Sequence, residues 1–282
     1  MKRIKYLIIV VVILLTGCMN NKSMEGITVY TTSYPIEYVT NELYGNHSTI
    51  KSIYPNGVDI NNYKITKTLI NEYSDNDLYI FNGLTNEKEY VKDMRKNNKK
   101  LMIIDVTNDI KYDYSVEELW LDPAKLLGLA NNIKKGLNEY IKNNPVLTNE
   151  INNNYNELKI TLTDLESKYR EELSSSSNKT IVVSDDMFLF LKNYGLDVIS
   201  IDQDNTNYNN NLAEAKNLIN SGYLKYIFIT NNNDRERVEG LGVESFTLNT
   251  ISNLTDDQRN STDYVTMIEE NLQSIKNQIN VE

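Results

Sequence analysis

Apolar and polar positions along this chain follow two rhythms that take turns. "GITVYTTSY" at 26–34 is β-branched and aromatic, the composition of a strand. Over 35–45 the apolar residues Ile36, Val39 and Leu43 fall three and four apart, and the run stops at Gly45, which predicts a helix. "HSTIKSIYP" predicts a second strand, "ITKTLINEYSDN" a helix, "DLYIFNG" a buried strand, "NEKEYVKDMRKNN" a helix and "KKLMIIDV" another strand. Such alternation with short turns predicts a parallel sheet covered by helices on both faces.

The stretch "SVEELWLDPAKLLGLA", 115–130, predicts a loop running into a helix. Asp122 is placed as N-cap and Pro123 at the first helical position, where a missing N–H costs nothing. Leu126, Leu127, Ala130 and Ile133 then recur at helical spacing. A longer period follows. Leu147, Ile151, Tyr155, Leu158, Leu162, Leu165, Tyr169 and Leu173 predict one helix over 146–174, roughly 40 Å long at 1.5 Å per residue. The alternation then restarts. "KTIVVS", "LDVISI", "LKYIFIT" and "VESFTL" predict strands, and "MFLFLKNYG", "NLAEAKNLINSG", "NDRERVEGLG" and "STDYVTMIEENLQSIKNQI" predict helices. The fold class expected is α/β, with two parallel-sheet lobes, 27–145 and 175–282, joined by one long linker helix.

The first residues add a location. Lys2, Arg3 and Lys5 precede the uncharged run "YLIIVVVILL", which is short for a membrane span. The run ends in "LLTGC", whose Cys18 is the only cysteine. This string resembles a bacterial lipobox, which implies a lipoprotein signal peptide over 1–17, diacylation of Cys18 and a lipid anchor in a membrane. An ordinary signal peptide or an anchor helix with an incidental cysteine is the alternative. "MNNKSMEG" lacks an apolar period, and 18–26 is expected to be a flexible tether. Removal of the three basic residues takes the formal net charge from −10 to −13. That balance points away from nucleic acid as a partner. With one cysteine committed to lipid and one histidine in the chain, a Ser-His or Cys-His nucleophile is not expected, and no enzymatic activity is read from the sequence.

Several strings, in order, resemble the solute-binding lipoproteins of zinc and manganese ABC importers, the helix-linked cluster A-I class. They are the segment from "VYTTSYPIEYVTNELYG" through "YPNGVDINNY" to "LYIFNGL", then "WLDP", "SDDMFLFLKNYGL" and "LNTISNLTDDQRNSTDYVTMIEENL". The resemblance covers nearly the whole mature chain. It implies a ligand cleft between the lobes and four converging side chains, usually histidines with one or two carboxylates. Carried over position by position, these are Asn61, two residues before Tyr63; Glu118, two before Trp120; Asp185, after Ser184; and Asn249 in "LNTIS", with Ser252 as its alternative. Trp120 would pack at the lobe base and Asp122 would cap a helix.

None of these positions is histidine. The sole His47 lies in "GNHST", read as a solvated turn, and the family's His-rich acidic loop is missing. The implied donors are all oxygen, which suits hard cations such as Mn²⁺, Mg²⁺ or Ca²⁺ better than Zn²⁺. If Glu118 and Asp185 converge from opposite lobes, their like charges need a counter-cation or a proton. The reading is therefore a monomeric, lipid-anchored solute-binding protein on the extracytoplasmic face of the cell membrane. It would take a divalent metal ion (Mn, Zn or another) to a permease with its ATPase. The alternative is a family member that serves as a surface adhesin or scaffold, or binds a non-metal solute.

Overall fold

The computed structural model describes residues 24–279. The signal peptide, Cys18 and most of the tether lie outside the described residues. The last tether residues do not behave as linker. Met24 is buried in the core, its carbonyl accepts a hydrogen bond from the Tyr44 hydroxyl, and Gly26 N donates to His47 O at 2.7 Å. Among the described residues no helix is long and apolar enough to cross a membrane.

The first lobe contains strands β1 (Ile27–Thr31), β2 (Ser48–Ser52), β3 (Leu78–Phe81) and β4 (Met102–Asp105), with helices α1 (Tyr34–Tyr44), α2 (Lys67–Ser74) and α3 (Glu87–Asn97) between them. The strands pair in parallel in the order β2-β1-β3-β4. Helix α4 (Glu118–Leu121), helix α5 (Pro123–Ile141) and the long α6 (Pro145–Ser174) follow. The second lobe repeats the arrangement. Strands β5 (Thr180–Val183), β6 (Asp197–Ser200), β7 (Tyr226–Ile229) and β8 (Glu244–Thr247) pair in parallel as β6-β5-β7-β8. Helices α7 (Tyr208–Asn220), α8 (Asn232–Glu239), α9 (Asp256–Ser261) and α10 (Tyr264–Ile279) complete it. The inner strands β3 and β7 are buried at every position, whereas the edge strands β2 and β8 are not. That is why "LYIF" and "YIFI" are continuously apolar and "STIKS" is mixed.

Helix α6 is a continuous 30-residue rod, about 45 Å long. Its stripe Leu147, Ile151, Leu158, Leu162, Leu165, Tyr169 and Leu173 is buried in a core that runs through both lobes. Asn144 caps its first turn, accepting from Leu147 N at 3.1 Å. Helix α5 packs as closely on the first sheet. A Cβ on Gly136 would stand 2.7 Å from Ile104 Cγ1 and 2.8 Å from its Cδ1. Gly136→Ala is therefore expected to destabilise by about 1–3 kcal/mol through overpacking, despite the roughly 1 kcal/mol that alanine contributes to a helix. A lowered urea midpoint would register it.

Three elements differ from the sequence expectation. Residues 115–121 are not all loop, because Glu118–Leu121 forms a helical turn. Asp186–Tyr194 is a 3₁₀ helix, not an α-helix. Its buried Phe188, Leu191 and Tyr194 recur every three residues, the period at which side chains eclipse in a 3₁₀ helix. It ends at Gly195 with φ +87°, a conformation glycine adopts without steric cost. Helix α9 went unread because it buries no residue and so leaves no apolar period. It is held instead by a reciprocal cap between Thr255 and Gln258.

Candidate functional site

All eight strands are parallel within their sheets, so the loops that follow them gather at the carboxyl edges. Open parallel sheets bind ligands there, beside the point where strand order reverses. In each lobe that point lies between the first and third strands. The loops after β2, β5, β7 and β8 meet around a cavity of about 360 Å³. Asp59 and Asn61 enter it from the first lobe; Asp185, Thr230, Ser252 and Asn253 enter from the second.

The segment following β8 holds the two walls together. Trp120 Nε1 donates to Thr250 O at 3.0 Å, and Tyr34 N donates to Ser252 O at 2.9 Å. Asn253 Nδ2 donates to Pro55 O at 2.8 Å and Val58 O at 3.0 Å. Gly57 N reaches Leu254 O at 2.9 Å, with φ +75°. Farther along, Arg259 forks onto Glu37 of α1 at 2.7 and 2.9 Å. Within this strap Ile251 has φ +58°, a left-handed conformation that is strained for a β-branched residue. The hydrogen bonds of its neighbours Thr250 and Ser252 hold it there.

Asp185 is the central acid. It caps the 3₁₀ helix, its Oδ1 accepting from Met187 N at 2.9 Å. Burial pushes its carboxyl up to about 6; the Met187 N–H opposes the shift, and the charges of Asp202, Glu117 and Asp234 reinforce it. Nearby Asp234 behaves oppositely. Burial alone would raise it, but donation from Ser184 Oγ at 2.7 Å, Arg237 Nη2 at 2.8 Å and Thr230 Oγ1 at 3.0 Å holds it below the usual carboxylate range. Asp234 is therefore a fixed anion that braces the β5 and β7 loops. Asp185 is a carboxylate short of compensating charge.

Two of the four carried-over positions, Asn61 and Asp185, line the cavity. Glu118 does not. It is completely buried, its two oxygens accept from Asp113 N at 2.8 Å and Tyr114 N at 3.0 Å, and Lys125 Nζ lies 3.2 Å away. It ties the 113–118 loop to α5. The acid of this loop that Asp185 feels is Glu117. Lys125 separates the two acids: its Nζ lies 3.2 Å from Glu118 Oε1, reached across the extended Asp122 that divides α4 from α5. Asn249 is also turned away, donating through its backbone N to Asn271 Oδ1 at 2.7 Å and through Nδ2 to Glu270 at 3.2 Å. Its alternative Ser252 lines the cavity. Asp59 is the residue the sequence reading passed over. Its carboxylate accepts from Asn61 N at 3.0 Å and Asn62 Nδ2 at 2.6 Å, which shapes the loop that presents Asn61. His47 pairs with Glu150 at 2.9 Å, outside the cavity.

Two parallel-sheet lobes on a rigid helix, with a polar cavity where their carboxyl edges face each other, define a helix-linked solute-binding protein. The chain belongs to the ZnuA family, the periplasmic component A of the zinc-uptake complex, whose model matches residues 29–278. The family is thus one of components of an uptake complex. Among curated proteins the chain resembles the zinc-binding protein AdcA of Streptococcus pyogenes serotype M3, at 22% identity over 292 residues. That match takes in 89% of this chain and 56% of the relative, so the chain spans about half the length of the curated relatives it matches. Among solved structures it shares the fold of Zn(II)-bound AdcA from Streptococcus pneumoniae, with a TM-score of 0.75 and 20% identity, covering 91% of this chain and 58% of the other. It also shares the fold of the metal-dependent lipoprotein YcdH from Bacillus subtilis, with a TM-score of 0.74 and 20% identity over 90% of this chain and 100% of that one.

Proposed function

We propose that this chain is the cargo-binding subunit of a metal-type ABC importer, anchored through a lipid on Cys18, and that it hands a hard divalent cation to a membrane permease driven by an ATPase. The carrying observation is the inter-lobe cavity with Asp185 in its wall: a carboxylate that burial and surrounding acids leave short of positive charge. A cation supplies that charge. Asp59, Asn61, Thr230 and Ser252 offer further oxygens, with Glu117 at its edge of influence. Hard cations favour such all-oxygen sets, and Zn²⁺ favours imidazole and thiolate. Among the described residues no group of three or more His, Cys, Asp or Glu stands ready as a metal cage. The same observation favours a second reading, a small polar non-metal solute held by amides and hydroxyls.

Calorimetric titration of the purified protein with Mn²⁺, Ca²⁺ and Zn²⁺ tests the first reading. Mn²⁺ is expected to bind within about tenfold of Zn²⁺, because an oxygen-only set gives zinc little of the lead it draws from imidazole and thiolate. Zinc tighter by about a hundredfold or more would reject the oxygen site, and heat from none of the ions would favour the polar solute.

A further inference from the structure

Asp234 and Arg237 stand three residues apart on α8, so they share one face of that helix. Their ion pair joins Arg237 Nη2 to Asp234 Oδ1 at 2.8 Å. The guanidinium has further donors. Its Nη1 donates to Ile201 O, and Nη2 also reaches Ser184 O at 3.3 Å. Ser184 is the first residue past β5, and Ile201 the first past β6. The other oxygen of Asp234, Oδ2, accepts from Ser184 Oγ at 2.7 Å and from Thr230 Oγ1 and Asn231 Nδ2 at 3.0 Å each. Thr230 is the first residue past β7. One ion pair therefore fastens the carboxyl ends of β5, β6 and β7 to one another.

Neither Asp234 nor Arg237 lines the inter-lobe cavity, but the residues they hold belong to it or adjoin it. Thr230 and Asn231 are in its wall, and Ser184 directly precedes Asp185. Ile201 precedes Asp202, whose Oδ2 accepts from Asp186 N at 3.1 Å. Asp185 is thus fixed through the residue before it and the residue after it. Arginine suits this task because its planar fork presents five N–H donors in set directions. A lysine ammonium is a single charged point on a flexible stem and cannot span the same partners. We propose that Arg237 is a positioning residue for the cargo cavity: its fork, together with Asp234, sets the place of Asp185 without touching cargo. This inference rests on the reading of Asp185 as the acid that meets cargo.

Arg237→Lys keeps the positive charge beside Asp234 and removes the fork, so it separates geometry from charge. Residue-resolved amide exchange reads the placement directly, because Asp185 Oδ1 protects the Met187 N–H and Asp202 Oδ2 the Asp186 N–H. In Arg237→Lys these two amides are expected to exchange about tenfold faster. The Ile53 and Val106 amides of the first lobe, bonded to Thr31 O and Phe81 O, should keep the parent rate. Mn²⁺ affinity should fall by about tenfold in Arg237→Lys, and no further when the substitution is added to Asp185→Asn. Unchanged exchange at both amides, acceleration spread evenly over the two lobes, or an affinity loss that adds in full to that of Asp185→Asn would overturn the proposal. Mn²⁺ left unbound by the parent protein would reject the cargo reading alone, and the exchange rates would still decide the role of Arg237.

Discussion

Glu118→Ala is expected to cost about 2–4 kcal/mol of folding stability, and Glu117→Ala less than about 0.5 kcal/mol. The two acids are neighbours in sequence and opposites in environment. Removing the Glu118 carboxylate strands the Asp113 and Tyr114 N–H groups inside the protein and takes one of two carboxylates from Lys125, which keeps Asp113 at 3.1 Å. Glu117 is half-buried and acts on Asp185 through its charge. Glu117→Ala should therefore leave the urea midpoint in place and change cation affinity, while Glu118→Ala moves the midpoint. The reverse pattern would put the functional acid at Glu118 after all.

Trp120→Ala is expected to be the most damaging single truncation at the seam, about 3–5 kcal/mol. The indole is 4% exposed, its Nε1 holds Thr250 O, and its own carbonyl accepts from the Tyr264 hydroxyl at 2.7 Å. It thus joins the first lobe to both the cavity strap and α10. Trp120→Phe refills much of the volume but leaves the Thr250 carbonyl only the long hydrogen bond from Ser252 Oγ at 3.4 Å, a loss of about 1 kcal/mol. Because Thr250 lines the cavity beside the strained Ile251, both variants should also loosen solute binding. Thermal unfolding followed by circular dichroism, alongside titration, separates the two effects. As the only tryptophan, Trp120 in the parent protein is a natural reporter of the same seam.

The fold was legible because its rules are local. β-Branched runs, helical spacing, the Asp122–Pro123 start and glycine stops such as Gly195 each act over a few residues. Asp122 does cap α5, accepting from Ala124 N at 2.9 Å, and it also accepts from Tyr194 at 2.7 Å, a contact with the second lobe that spacing does not encode. The site was only partly legible for the same reason. Asp185 follows β5 by two residues, so the sheet fixes where it emerges, whereas Asn61 lies nine residues past β2 in a loop shaped by Asp59. Glu118 and Asn249 sit where one residue of helical phase, or one competing amide on α10, decides which way a side chain turns. In the first case Lys125 settles the matter; in the second, Asn271 does. Helix α9 and the 3₁₀ helix depend on capping and on a period of three, which an apolar-stripe reading at 3.6 residues passes over.

Asp185 is the proposed acid at which both lobes meet a cation. Paramagnetic resonance of Mn²⁺ titrated into wild type, Asp185→Asn and Glu118→Gln tests this directly, since the signal of free Mn²⁺ falls as ions are bound. The expected result is saturable binding by wild type, at least about tenfold weaker binding by Asp185→Asn, and near-parental affinity for whatever fraction of Glu118→Gln remains folded. Mn²⁺ bound equally well by Asp185→Asn, or not bound by the parent protein, would contradict it.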